Sequence, residues 1–304
     1  MSGSPLVHVV DEVPELDGAR GSGAGPVLVL ALQGFLDAGN AAATAVGHLH
    51  EQSAGRVVAT FDTDSLHDYR ARRPAITFRE DHYEGYQAPR LVVRLMHDGD
   101  GVPYLLMHGP EPDIRWEAFA VAVRTVLEHF EVRLVVSVGA VPMAVPHTRP
   151  TMVTQHANRG DLMVADNIWR GDLAVPASAQ ALLELRLGEW GHPATGFVAH
   201  VPHYLAQSDY PVASVKLLES VEVVTGLALD LTDLESAAST SEEEIAVQVA
   251  DNPEVAQVVG DLEQQYDAYH HSHGRPVPMA QEQDIPTADE LGEEFERFLA
   301  DLDE

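Results

Sequence analysis

The densest set of groups able to hold an anion is Asp68-Tyr69-Arg70-Ala71-Arg72-Arg73-Pro74, with three guanidinium groups inside four positions. Arginine offers a planar fork of donors that fits a carboxylate or phosphate bidentately, so Arg70 and Arg72 are candidate anion ligands. The same pattern equally suits an inter-subunit ion-pair network or a solvated ion-pair surface, whose pairs are individually weak. Gly34-Phe35-Leu36-Asp37-Ala38-Gly39-Asn40 lies between an apolar run and an Ala-rich stretch, where α/β sheets place ligands, and it offers Asp37 and Asn40. It matches neither G-x-G-x-x-G nor a P-loop, and Asn40 also fits a turn or a helix cap.

Three further segments carry polar groups on constrained backbone. His108-Gly109-Pro110-Glu111-Pro112-Asp113 leads into Ile114-Arg115-Trp116, and its two prolines stiffen the loop around Glu111 and Arg115. Asp113 there also reads as a helix cap. Gly139-Ala140-Val141-Pro142-Met143-Ala144-Val145-Pro146-His147-Thr148-Arg149-Pro150 holds three prolines beside His147 and Arg149, which suits positioning of a ligand or a neighbouring subunit. His200-Val201-Pro202-His203-Tyr204 brings two imidazoles close, yet zinc needs further ligands. A pocket built from these loops is lined by Asp37, Asn40, Arg70, Arg72, Glu111, Arg115, Arg149 and His203, with arginines holding an anion and Glu111 accepting hydrogen bonds.

Several chemistries find no support. The sequence contains no cysteine, so thiol nucleophiles, disulfides and thiolate zinc sites are excluded. No H-E-x-x-H occurs, and no metal or other cofactor is expected. No G-x-S-x-G occurs either, and Ser137 falls inside an apolar run rather than on a nucleophile elbow. A formal net charge of −30 disfavours a phosphate backbone as partner and favours solubility or a basic protein surface. The first twenty residues lack an apolar run of signal-peptide length, and no later run approaches a membrane span, which predicts a cytoplasmic protein.

The elements that position these loops are legible as periodicity. Val27-Leu28-Val29-Leu30-Ala31-Leu32 predicts a buried central strand, and apolar runs over 57–61, 91–95, 104–107, 134–138 and 196–201 predict further strands. Helical spacing is predicted up to about residue 50 after the first loop, over 113–130 and over 176–190. The pattern becomes helical from residue 211, and Asn252-Pro253 opens another helix, with proline tolerated at its first turn. Residues 274–286 read as a linker and 287–302 as a terminal amphipathic helix, opened by Thr287-Ala288-Asp289-Glu290 as a capping box. The expectation is a three-layer α/β/α core over 1–210 around a mostly parallel or mixed sheet, a helical addition over 211–273 packed on it, then the linker and helix.

The succession of these loops, 34–40, 68–74, Gly109-Pro110-Glu111-Pro112, Pro146-His147-Thr148-Arg149-Pro150 and Val201-Pro202-His203-Tyr204, resembles the bacterial branch of the proteasome assembly chaperone 2 family over residues 6–272. The resemblance implies a purine-nucleoside-phosphorylase-like α/β/α fold. It also implies a non-enzymatic interaction protein whose partners are proteasome α-subunits, since eukaryotic and archaeal relatives assist assembly of that ring. Some of those relatives end in a hydrophobic-Tyr-X tail, whereas this sequence ends Leu302-Asp303-Glu304. Two alternatives stand beside this reading. One is a nucleoside- or anion-binding protein or enzyme on the phosphorylase-like scaffold; the other is a homo-oligomer whose loops serve self-association.

Overall fold

The computed structural model describes residues 6–17, 21, 23–34, 36–53, 55–164 and 172–271, with side chains as far as Ala268. The expected linker 274–286 and terminal helix 287–302 lie outside the described residues. Ten strands and seven α-helices are described, and eight of the strands form one mixed sheet. Its order is β1 (Val7–Val9), β3 (Arg56–Phe61), β6 (Val92–His97), β7 (Pro103–Pro110), β2 (Val27–Gln33), β8 (Leu134–Met143), β10 (Ala194–Pro202) and β9 (Val153–Ala157). β7, β2, β8 and β10 run parallel to one another. β6 is antiparallel to both β7 and β3, which returns β3 to the direction of the parallel set.

The central strands are apolar without alternation because both faces are covered. Val27, Val29 and Ala31 of β2 belong to a core with α2 (Ala41–Gln52), α5 (Pro211–Thr225) and α6 (Thr232–Asp251). Leu28 and Leu30 point into the opposite core, built with α3 (Trp116–His129) and α4 (Ala179–Glu189). Successive side chains on a strand point to opposite faces, so this one run feeds two cores and yields the three layers. α5 buries Leu217, Leu218 and Val221, each burial removing apolar area that stabilises by on the order of 2 kcal/mol. α7 (Pro253–His271) buries only Val259 and Leu262 among its described side chains, so polar contacts must hold much of it.

The expected α/β/α architecture is present, with helices after residue 211. The six expected strands all form, several of them longer than their apolar runs. The helix expected over 113–130 begins only at Trp116, after Arg115 in a left-handed conformation, and the one expected over 176–190 begins at Ala179, after Ser178 in an extended conformation that caps it. Periodicity did not reveal the edge strands β1 and β9. A separate two-stranded hairpin, β4 (Thr77–Arg79) and β5 (His82–Glu84), was also unforeseen, although Thr77-Phe78-Arg79-Glu80-Asp81-His82-Tyr83-Glu84 carries strand formers around a two-residue polar turn. α1 (Pro14–Asp17) is a single turn that buries Leu16.

Candidate functional site

Because β2, β3, β7, β8 and β10 share one direction, the loops that follow them all emerge at one edge of the sheet. Asp37 and Asn40 follow β2, Arg70 and Arg72 follow β3, and Glu111 and Arg115 follow β7. Arg149 follows β8 and His203 follows β10, so the topology collects all eight candidates at the edge where α/β sheets carry ligands. Their partners then divide them into separate groups.

Arg72 and Glu111 form the first group. The Arg72 guanidinium donates to the Glu111 carbonyl and pairs with Asp113 Oδ1 at 2.7 Å. Asp113 also accepts from the Asp68 amide at 2.6 Å. Burial pushes the Asp113 carboxyl up, but the Arg72 bond and that amide outweigh it and leave it below its ordinary value. Asp113 is therefore an anchor for the 68–73 loop and not a cap of α3, whose preceding residue Arg115 takes a left-handed backbone at φ 62. Glu111 Oε1 accepts from the Ala179 amide at 2.6 Å and so satisfies the first turn of α4, which Ser178 Oγ also caps through Ala181. Burial raises the Glu111 carboxyl despite that amide and Arg72. Gly34 makes the approach sterically feasible, since a Cβ there would lie 2.8 Å from Glu111 Cβ.

Asp37 and Asn40 form the second group, and the helix cap is Asp37. Its two carboxylate oxygens accept from Ala42 at 2.7 Å and Ala43 at 2.9 Å, the orphan amides of α2. Burial raises the Asp37 carboxyl, and those amides partly offset the shift. Asn40 sits in a left-handed conformation at φ 48 and turns its side chain away to donate to Asp209 at 2.7 Å.

Arg149 belongs to a third arrangement. It pairs bidentately with Asp267 at 2.9 and 2.7 Å and reaches Glu263 at 3.2 Å, both on α7. Thr148 donates to Glu263, and Tyr266 donates to the Pro150 carbonyl at 3.2 Å, so α7 is clasped to the proline-rich loop by polar contacts. The loop is braced in turn by Tyr204, whose hydroxyl contacts the amide and Nδ1 of His147 at 2.9 and 2.7 Å. His203 is exposed and stands edge-on to Tyr204 at 5.4 Å between ring centroids. These ion pairs are partly open to solvent, where such pairs are individually weak and screened by salt. Arg149→Ala is therefore expected to leave the sheet intact while amide exchange over 253–268 becomes several-fold faster, an effect that high salt should reproduce in the unmodified protein.

Arg70 and Arg115 are exposed, and neither side chain has a partner among the described residues. His108 lies within β7, faces α2 and meets His50 Nε2 at 3.1 Å; burial pushes it down to about 4. Two small cavities stand out, and neither is lined by any of the eight candidates. One, of about 70 Å³, lies between Leu49, His97, Asp98 and Tyr104. The other, of about 10 Å³, lies beneath α4. A pocket for a nucleoside-sized ligand runs to roughly 300 Å³ or more. No group of three or more histidine or acidic side chains able to hold a metal occurs among the described residues.

The cavity beneath α4 marks a constellation that periodicity gave no sign of. Ser137 on β8, Gly196 on β10 and His156 on β9 are neighbours in register across three strands. Ser137 Oγ is buried without a partner, and His156 Nδ1 pairs with Glu184 at 2.8 Å. The residue types are those of a hydrolase relay, but the Ser137 hydroxyl has no solvent contact and faces a water-sized space, so no substrate reaches it.

Comparison with known proteins places these observations among relatives. The model of the PAC2 family matches residues 31–249. A crystal structure of a Mycobacterium tuberculosis protein of unknown function is 44% identical, with TM-score 0.83, and the match covers 89% of this chain and 92% of that one. A Mycobacterium tuberculosis proteasome-assembly chaperone homologue is 30% identical, with TM-score 0.71, covering 77% of this chain and 99% of that one. A PAC2 family protein from Streptomyces avermitilis is also 30% identical, with TM-score 0.67 and the same coverage. No curated protein sequence matches the chain.

Proposed function

Since the chain belongs to the PAC2 family, we propose that it acts without catalysis, as a chaperone-like interaction protein whose partners are proteasome α-subunits. The observation that carries this reading is the 30% identity, over 99% of its length, to a protein described as a proteasome-assembly chaperone homologue. The engagement of Arg72, Glu111, Asp37 and Arg149 by this chain's own groups supports it further, because groups held that way are poorly placed to bind a small anion. In this reading residues 1–210 are the scaffold on which the helices over 211–271 pack, and residues 287–304 are the segment whose contact with the partner is tested. The setting is the cytoplasm, and among the described residues no helix is long and apolar enough to cross a membrane. The test is co-sedimentation of the full chain with the proteasome core particle of its own organism, with and without residues 287–304. Association of the full chain is the expected result, and loss on truncation would assign the contact to the terminal segment. Absence of association at micromolar concentrations of both components would overturn the proposal.

A further inference from the structure

Four large apolar side chains are exposed on the loops at the sheet edge. Leu36, Ile114, Leu173 and Val175 are between 47% and 67% exposed. Glu111 ties their segments together. Its amide donates to the Gln33 carbonyl at 2.7 Å, and its carboxylate takes the Ala179 amide just after the exposed stretch 172–177. Ile114 adjoins the arginine loop, because the preceding Asp113 donates its amide to the Leu66 carbonyl at 2.9 Å and accepts from the Asp68 amide. Arg70 and Arg73 on that loop are exposed, as is Arg115 beside Ile114. The acids among these groups, Asp37, Glu111 and Asp113, are engaged by α2, α4 and Arg72, and Asp172 is the exposed acid beside Leu173. Exposed apolar side chains gathered inside a polar rim mark interaction sites.

The charge of the rim selects an acidic, amphipathic occupant, and residues 287–304 have that chemistry. They hold eight acidic residues against Arg297 alone, and Leu291, Phe295, Phe298, Leu299 and Leu302 recur at the spacing of one helical face. Chain length permits the contact. α7 crosses the same edge, where Tyr266 reaches Pro150 and Asp267 pairs with Arg149. The nineteen positions from Ala268 to Thr287 span at most about 60 Å, against roughly 45 Å across a compact core of this length. A segment tethered in this way meets the patch at an effective concentration on the order of millimolar, so a weak contact suffices.

We propose that residues 287–302 dock in cis on the patch of Leu36, Ile114, Leu173 and Val175, with their carboxylates against Arg70, Arg73 and Arg115. The contact is a property of the isolated chain. It can fail while the proteasome reading stands, and co-sedimentation can fail while it holds.

The test is paramagnetic broadening of isoleucine, leucine and valine methyl signals in the full chain. Because the sequence has no cysteine, A300C gives a single thiol for a nitroxide. Methyls of Leu36, Ile114, Leu173 and Val175 are expected to broaden. Those of Val102 and Val223 are expected not to, since they are exposed at the opposite edge, before β7 and at the end of α5. High salt is expected to weaken the broadening, and R70E/R73E/R115E to remove most of it at low salt. F295S/F298S, which leaves the folded core untouched, is expected to abolish it at every salt concentration. In a mixture of isotope-labelled chain without nitroxide and unlabelled chain carrying it, the patch is expected to stay sharp. Broadening in that mixture would overturn the proposal, because the segment would then reach a second copy. Uniform broadening of exposed methyls, none at the patch, or broadening indifferent to F295S/F298S would overturn it as well.

Discussion

Gly196→Ala is expected to lower the free energy of unfolding by about 3 kcal/mol, at the upper end of what overpacking a core costs. Gly196 lies in β10 with β8 paired on one side and β9 on the other, so its backbone has no direction in which to withdraw. A Cβ there would stand 2.3 Å from Ser137 Oγ and 2.3 Å from His156 Cε1. Ser137 is 4% exposed, and Glu184 holds the imidazole through Nδ1, so neither neighbour yields cheaply. Urea denaturation of the single variant measures the loss. Ser137→Ala alone is expected to be nearly neutral, because it removes a buried hydroxyl that has no partner. In the Gly196→Ala background the same change removes one of the two clashes, and a double-mutant cycle should show a coupling of about 1 kcal/mol or more. A Gly196→Ala protein within about 0.5 kcal/mol of the parent would show that this slot is not tightly packed.

The second large effect is an acid-sensitive window set by His200. Its ring is 3% exposed, with Nε2 at 2.7 Å from Thr154 Oγ1 and a buried Nδ1 without a partner. Burial pushes the imidazole down to about 4, from an ordinary value of 6.5. Between those values the unfolded chain binds a proton that the folded protein refuses, so stability falls as pH drops from 6.5 towards 4, by about 3 kcal/mol in full. Above pH 6.5 both states are neutral and the effect vanishes. His200→Gln removes the titration, and its loss of stability between about pH 7 and pH 4.5 is expected to be about 2.5 kcal/mol smaller than that of the parent. Equal losses in the two proteins would place the acid sensitivity elsewhere. His108, pushed down to about 4 by burial and by its neighbour His50, acts in the same direction and remains in the variant.

How far the site was legible differs residue by residue. That loops 34–40, 68–74, 109–115 and 146–150 share an edge follows from reading a parallel set of strands, and the β2, β7, β8 and β10 runs carry that signal in their unbroken apolar character. Asn252 and Pro253 announced α7 through local chemistry, with Asn252 Oδ1 accepting from Glu254 at 3.0 Å and Val255 at 3.3 Å. For α2 the sequence offers Asn40, the nearer residue, as a turn or cap, whereas the carboxylate of Asp37 reaches forward over an intervening short turn to take the amides. The hairpin went unseen because its strands are three residues each, too short for periodicity to stand out.

Composition and spacing along the chain determined the layers, the six longer strands and the long helices, the edge at which the loops gather, and the absence of thiol chemistry, because each depends on residues close in sequence or on simple counts. Only the tertiary structure decided what each charged group does there. Arg72 finds Asp113, Glu111 finds Ala179 and Arg149 finds Asp267 across 41, 68 and 118 positions of chain. Which guanidinium is neutralised and which stays exposed depends on sheet register and on where α7 lies across the edge, and a one-residue slip would exchange the faces of every strand residue involved. Ser137, Gly196 and His156 meet for the same reason, through pairing of three strands, and no local pattern in any one of them encodes that meeting.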